Sequence, residues 1–179
     1  MNHEPCTTPH PTAHPNTGSA NTPQLPRLLV CNRWEAARWC HRYDSVLTVF
    51  APWWHCDWGH DDHLIVECED RVNPEEGAPT LSQVDEILSW ATYRLDRSIL
   101  VHCKAGQSRS TAAAVGIAIL AGVSEEEALQ YVYASCRPGD KICTRPFIPN
   151  TRLLAHVDTL LGTQLVRALD SFAPRCAAA

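Results

Sequence analysis

Short apolar runs alternate with amphipathic stretches along residues 27–172. The runs are brief and rich in β-branched residues, which predicts buried strands rather than helices. Strands separated by helices favour an α/β fold with helices on both faces of the sheet. We therefore expect a central, mostly parallel, twisted sheet of four to five strands. The predicted strands are Leu28–Cys31, Ser45–Ala51, His63–Cys68 and Ser98–His102.

Helix signals occupy the intervals between these strands. Asn32 is a plausible N-cap for a helix through about His41. Thr80 and Gln83 form a capping box that opens an amphipathic helix predicted to reach Arg97. Its apolar positions recur at helical spacing and predict a buried face: Leu81, Val84, Ile87, Leu88, Ala91 and Leu95.

Three further helices are predicted in the second half of the chain. Ser110–Ala121 is apolar on nearly every face, so this helix should be buried. Ser124 and Glu127 form a second capping box before a helix that ends near Cys136. A loop is predicted over Arg137–Ile148, and a last helical region starts at Pro149 or Asn150.

The two ends of the chain differ in composition from residues 27–172. Residues 1–26 contain six Pro, five Thr, three His and three Asn, and Glu4 is their single charged residue. Such a segment buries too little apolar surface to offset its ordering entropy, which predicts a disordered tail. Residues 173–179 are interpreted as a short C-terminal tail.

Charge and cysteine content narrow the classes of function. The net charge of −5 and the pI near 5.9 give no electrostatic footprint for nucleic acid. No apolar run is long enough to cross a membrane, and no secretory signal is visible. The nine cysteines show no repeated spacing, which favours structural thiols in a reducing compartment. The expectation is a cytoplasmic monomer.

Residues 102–110, with the sequence HCKAGQSRS, carry the chemistry. They lie between a predicted buried strand and a predicted buried helix, where ligands of open α/β sheets bind. Backbone N–H groups of Lys104, Ala105, Gly106, Gln107, Ser108 and Arg109 have no helical partner there. Coiled around a centre, they would form an anion-binding nest at a helix N-terminus.

Cys103 and Arg109 stand six positions apart at the two ends of this loop. Helix N-termini and nearby cations favour the thiolate of cysteine, which is the nucleophilic form. The guanidinium can offer two parallel donors to phosphate oxygens. A buried structural cysteine and a surface-paired arginine are the alternative, which the accompanying His102, Gly106 and Ser110 disfavour.

These residues resemble the signature loop of the protein tyrosine phosphatase superfamily: His-Cys, five residues, Arg, then Ser or Thr. The Ser108-Arg109-Ser110 ending and the small size are more similar to the dual-specificity branch. Residues 126–129 with Arg137-Pro138, and Pro149-Asn150 with Leu153-Leu154, extend the resemblance to about residues 28–162. Small bacterial tyrosine-phosphatase-like proteins are similar over 63–114 and 149–162.

The resemblance implies a phosphate monoester hydrolase that uses a phosphocysteine intermediate. Cys103 would attack phosphorus, and Arg109 with the loop amides would bind the phosphate. Ser110 would assist the sulfur as a leaving group. His102 would orient the loop and favour the thiolate, or serve as a structural histidine; both roles remain open. Substrates would be phosphorylated proteins or small phosphate esters.

The leaving oxygen needs a proton from a positioned acid. Asp70 follows a predicted strand, so its side chain should lie at the same sheet edge as Cys103. It precedes the nucleophile by 33 positions, a separation similar to that in the superfamily. Glu69, Asp61 and Asp62 are rivals, and a turn-capping role is the alternative for Asp70.

A cluster of His, Cys and Asp between residues 55 and 63 contains metal-ligand residue types, but its spacing matches no closed zinc site. We interpret this segment as a rim loop and expect neither metal nor cofactor. Some relatives protect the nucleophile with a second cysteine, for which Cys31, Cys56 and Cys68 are candidates. Lys104, and Arg145 near the rim, leave a phospholipid or inositol phosphate substrate as a further alternative.

Two other functions remain open at this stage. Rhodanese-type sulfurtransferases also present a cysteine in an anion-binding loop. A pseudophosphatase would bind phosphorylated partners without turnover. Arg109 followed by Ser110, together with Asp70, favours phosphate hydrolysis over both.

Overall fold

A computed structural model describes residues 25–51, 58–136 and 146–173. Within these ranges four parallel strands form one sheet in the order β1-β4-β2-β3. The strands are β1 Arg27–Asn32, β2 Ser45–Phe50, β3 His63–Glu67 and β4 Ser98–Cys103. The α/β class, the parallel sheet and all four predicted strands are confirmed, each within one residue of its predicted ends.

Helices cover both faces of the sheet. On one face, α1 packs against an apolar cluster that includes Leu29, Cys31, Val46 and Leu100. The larger core lies on the other face, among the remaining helices. The α-helices of the described residues are α1 Arg33–Trp39, α2 Leu81–Thr92, α3 Arg109–Leu120, α4 Glu125–Ser135, α5 Thr151–Leu161 and α6 Leu165–Ser171.

The predicted caps are present at the helix starts. Asn32, Thr80 and Ser124 each accept a hydrogen bond from the backbone of the residue three places later, in complete capping boxes. Asn150 caps α5 in the same position, although without the reciprocal bond. Side-chain caps of this kind stabilise a helix by about 1 kcal/mol each.

Two expectations about α2 are wrong. The helix ends at Thr92 rather than Arg97, because residues 93–97 form turns that bring Arg94 to Asp62. Leu81 is 41% exposed, whereas Val84, Ile87, Leu88 and Ala91 are buried. Leu81 is the first residue of the helix, and the core-facing stripe begins one turn further on.

The chain ends differ in how far the structure describes them. Leu25 packs against the core, and the Tyr131 hydroxyl bonds the carbonyl of Pro26, so these two residues of the predicted tail contact the domain. The rest of that tail, and residues 174–179, lie outside the described residues. So do residues 137–145, most of the predicted loop. Among the described helices none is long and apolar enough to cross a bilayer.

α3 is the buried helix that positions the candidate site. Every residue from Arg109 to Ala118 is buried. Its N-terminus meets the carboxyl end of β4, the central strand between β1 and β2. The loop that joins these two elements therefore begins and ends at buried residues.

Candidate active site

Cys103 lies at the carboxyl end of β4, and five residues connect it to α3. Its side chain is turned inward, and the residue is 1% exposed. The amide N of Gly106 donates to Sγ at 3.2 Å, and the hydroxyl of Ser110 lies 3.1 Å from Sγ. An amide, a hydroxyl and a helix N-terminus thus surround the sulfur, and all three stabilise negative charge there.

Gly106 determines how tightly the loop coils. Its φ is +72°, in the left-handed region. A Cβ at this position would lie 2.6 Å from the carbonyl carbon of Cys31 and 2.7 Å from the amide of Asn32. The loop therefore rests directly on the end of β1, and a side chain at residue 106 would push the two backbones apart.

Three backbone carbonyls of the loop accept hydrogen bonds from neighbouring segments. Lys104 O accepts from the amide of Arg33 at 3.4 Å, Gln107 O from Ile148 at 3.2 Å, and Ser108 O from Asn150 at 3.2 Å. In a trans peptide the next N–H points opposite to the carbonyl. The backbone N–H groups of residues 105, 108 and 109 therefore point away from the segments that bind these carbonyls. An anion nest requires this orientation.

The exposure of the predicted phosphate-binding residues follows the same arrangement. Lys104 and Ala105 are exposed, Gln107 and Ser108 are half-buried, and Gly106 is buried. Lys104 thus lies at the outer rim of the loop.

Arg109 is 6% exposed, with its side chain held beneath the loop. Nη1 donates to the carbonyl of Cys68 at 2.7 Å, and the guanidinium carbon lies 5.9 Å from the centre of the Phe50 ring. Nε is buried and meets no hydrogen-bond acceptor among the described residues. A charged donor left without an acceptor in a protein interior is costly, so this atom points to an anionic ligand.

Asp70 lies at the same edge of the sheet, three residues after β3. Its side chain is 43% exposed, and Oδ2 is 4.0 Å from Nε of Arg109. Oδ1 accepts a hydrogen bond from the hydroxyl of Ser108 at 2.7 Å and another from the side-chain amide of Asn150 at 2.8 Å. The structure therefore brings Asp70 to the loop between Cys103 and Arg109.

The rival carboxylates are engaged elsewhere. Glu69 pairs with Arg71. Asp62 precedes β3 at the opposite edge of the sheet, where Arg94 binds both its oxygens at 2.7–3.0 Å. This contact with Arg94 holds the pKa of Asp62 below its usual range. Asp61 is exposed beside it. Glu69 and Asp70 both follow β3 at the edge of Cys103, and of these two only Glu69 is paired with Arg71.

His102 is completely buried beneath the loop. Its Nε2 lies 2.6 Å from the hydroxyl of Thr48, which lies 2.7 Å from Nε2 of His63. The ring of Trp58 packs over both histidines, with ring centres 4.7 Å and 5.9 Å away. Burial lowers the pKa of His102 to about 3, with a smaller opposing effect from the backbone of Cys103. A neutral, anchored imidazole favours the orienting role over a direct charge effect on the sulfur.

Some of the remaining candidate residues lie within the described part of the chain, and others do not. His60 bonds Tyr43 O and Asp62, and His63 belongs to the Thr48 network. His55, Cys56, Asp57 and Arg145 lie outside the described residues, and the described part of the chain contains no group of three potential metal ligands. Burial raises the pKa of the Cys68 thiol to about 12, and neither Cys68 nor Cys31 forms a disulfide with another described cysteine.

Sequence reasoning missed four residues of the site. Thr48 and Trp58 complete the network around His102, and Phe50 packs on Arg109. Asn150 appeared in the sequence as a helix start, and its side chain also bonds Asp70. Hydrogen bonds between residues 80 positions apart leave no local signal, although the strand ends at 48–50 and 67–70 share one edge.

Comparison with known proteins shows which solved structures share the fold of this chain. No family model matches the sequence, and no curated protein matches it. A mouse putative dual specificity phosphatase complexed with zinc tungstate is similar with a TM-score of 0.52 and 22% identity, over 87% of this chain and 94% of that one. DUSP15 is similar with a TM-score of 0.53 and 17% identity, over 85% and 96%.

Human DUSP28 gives a TM-score of 0.51 at 20% identity, over 82% of this chain and 95% of that one. At such identities the similarity concerns the fold. The chain has the fold of the dual-specificity phosphatases, as the resemblance of its signature loop predicted.

Proposed function

We propose that this chain is a cysteine-dependent phosphate monoester hydrolase of the protein tyrosine and dual-specificity phosphatase type. One observation carries the proposal. Sγ of Cys103 faces an amide, a hydroxyl and a helix N-terminus, while the buried Nε of Arg109 at the other end of the loop meets no acceptor among the described residues. A tetrahedral dianion between sulfur and guanidinium would satisfy both groups.

In the first step the thiolate of Cys103 attacks phosphorus. The S–P bond forms and the ester P–O bond breaks, with its electron pair moving to the leaving oxygen. Asp70 gives that oxygen its proton, while Arg109 and the loop amides bind the three equatorial oxygens. The product alcohol or phenol leaves, and phosphocysteine remains.

In the second step water attacks the phosphocysteine. Asp70, now a carboxylate, takes the proton from water, and the P–S bond breaks. The electron pair returns to sulfur, which the Ser110 hydroxyl stabilises from 3.1 Å. Inorganic phosphate is released, and every group returns to its starting state without metal or organic cofactor.

The placement of Asp70 supports hydrolysis over the two alternatives. Sulfur transfer needs no proton donor beside the arginine, and a pure binding module needs neither donor nor nucleophile. Here a carboxylate is held by two hydrogen bonds within 4.0 Å of Arg109. We infer phosphorylated proteins or small phosphate esters as substrates, acted on by a cytoplasmic monomer.

The test is hydrolysis of p-nitrophenyl phosphate by the purified chain, with and without chelator. Turnover should persist in chelator and should be abolished in Cys103→Ser, while this variant still binds vanadate, an analogue of the phosphate. Unchanged turnover in Cys103→Ser would overturn the mechanism. Vanadate binding without turnover by the unaltered chain would favour the binding module, and thiosulfate turnover would favour sulfur transfer.

A further inference from the structure

Asn150 connects three parts of the site through its own atoms. It is 2% exposed, directly before α5. Its Nδ2 donates to Oδ1 of Asp70 at 2.8 Å and to the carbonyl of Arg71 at 3.2 Å. Its Oδ1 accepts from the amide of Leu153 at 3.0 Å, and its own amide donates to Ser108 O at 3.2 Å.

These bonds give the two oxygens of Asp70 different roles. Oδ1 already accepts from Asn150 and from the hydroxyl of Ser108. A proton on Oδ1 would displace one of these donors, so the acidic proton belongs on Oδ2. Oδ2 is also the oxygen beside Arg109, at 4.0 Å from Nε. The arrangement therefore places the transferable proton on the side where phosphate would bind.

We propose that Asn150 is the positioning residue of the general acid: it fixes which oxygen of Asp70 carries the proton and ties the other oxygen, Oδ1, to the phosphate-binding loop. The inference rests on the proposed function. Helix capping alone accounts for the bond to Leu153, because the carbonyl oxygen of the side chain suffices for it. The two bonds from Nδ2 leave the helix and hold the Asp70 segment instead.

Asn150→Ser separates the two roles. Serine keeps the capping acceptor and the backbone amide, but it has no donor that reaches Asp70. Loss of acid orientation matters most for leaving groups that need a proton. We expect kcat for phenyl phosphate to fall about tenfold, and kcat for p-nitrophenyl phosphate to change by less than about twofold, with KM unchanged for both.

Three further variants serve as controls. Ser124→Ala removes the cap of α4, far from the loop, and should lower the melting temperature without altering the ratio of the two substrates. Asn150→Ser should cause no further fall in kcat in an Asp70→Asn background, because the residue acts through Asp70. Asn150→Asp keeps both shape and cap but faces Asp70 with a carboxylate, which should shift the pH profile of kcat.

The outcomes separate this inference from the proposed function. Equal losses on both substrates, or an undiminished loss in the Asp70→Asn background, would overturn the positioning role while leaving Cys103-dependent turnover intact. An unshifted pH profile in Asn150→Asp would also contradict it, even if Asn150→Ser fails to fold. Turnover that persists in Cys103→Ser would overturn the proposed function itself, and the inference with it.

Discussion

An aspartate lies near each end of β3, and each aspartate faces an arginine from another part of the chain. The two aspartate–arginine pairs differ in geometry. Before the strand, Arg94 contacts both oxygens of Asp62 at 2.7–3.0 Å. After the strand, Arg109 stays 4.0 Å from Asp70, although Arg109 is the more deeply buried arginine. The first pair satisfies its own charges, whereas the second pair leaves a buried donor available to a third group.

The two pairs differ in how far the protein itself satisfies their polar atoms. Asp62 also accepts from the hydroxyl of Ser45, so its oxygens are fully used by the protein. At the other edge, Ser108 and Asn150 hold Asp70, while the carbonyl of Cys68 holds Arg109. Neighbouring groups thus restrain both partners separately, and Nε of Arg109 has no hydrogen-bond acceptor among the described residues.

The largest expected effect comes from changing the two arginines in parallel. Arg109→Lys should lower kcat/KM by about 10³-fold, because lysine cannot supply the planar set of donors. Its free energy of unfolding should fall by no more than about 1.5 kcal/mol, since one hydrogen bond to Cys68 O is lost. Phosphate ester kinetics and urea denaturation measure the two quantities.

Arg94→Lys should show the reverse pattern. Loss of its two-oxygen contact with Asp62 should destabilise the fold by about 1–3 kcal/mol, while kcat/KM changes by less than about twofold. If both variants lost activity equally, the distinction between the two pairs would be wrong.

A glycine substitution tests the coil of the loop at the candidate active site. Gly106→Ala should lower kcat by about 10²-fold or more, because its Cβ displaces the loop from the end of β1. Gly162→Ala is the matched control, with φ +70° and no atom within 4 Å of the added carbon. This control should lose about 1 kcal/mol of stability and keep its activity.

The two aspartates provide a third, smaller contrast. Asp70→Asn should lower kcat for phenyl phosphate by about 10²-fold and abolish the acid-dependent limb of the pH profile. Asp62→Asn should leave that profile unchanged and cost about 2 kcal/mol of stability instead. A shift of the profile in Asp62→Asn would return the acid assignment to the rival carboxylate.

A pH dependence of the free energy of unfolding is expected from His102. Its pKa is about 3 when folded, whereas that of an unfolded histidine is about 6.5. The unfolded state therefore binds more protons between these values, and stability falls as pH falls through this window. The slope from this group is at most about 1.4 kcal/mol per pH unit.

Urea denaturation at about pH 6.5 and about pH 4.5 should detect this slope, and His102→Gln should reduce it. The depressed pKa of Asp62 contributes only as pH falls through its own, lower range. An unchanged slope in His102→Gln would mean that other groups titrate in this window.

Local sequence signals predicted most of the fold. Capping boxes, apolar runs and the residues around Cys103 are properties of neighbouring positions, and the structure reproduces them at Asn32, Thr80 and Ser124. The end of α2 was misplaced because the turns after Thr92 depend on a contact between Arg94 and the distant Asp62. Propensity along the helix contains no information about that contact.

The site was predictable where strand ends determine it. Asp70 and Cys103 follow parallel strands, so their shared edge could be inferred from order alone. The Thr48–His102 bond spans 54 positions and the Asn150–Asp70 bond spans 80. Such long-range hydrogen bonds can be predicted only when the strand order of the sheet and the packing of α5 are known.

The central claim is that Cys103 carries the phosphoryl group during turnover. Rapid acid quenching of the chain with a phosphate ester, followed by peptide mass spectrometry, tests this directly. We expect one added phosphoryl group on the peptide containing Cys103, and none on the same peptide of Cys103→Ser. A phosphoryl group on any other residue, or turnover that continues in Cys103→Ser, would contradict it.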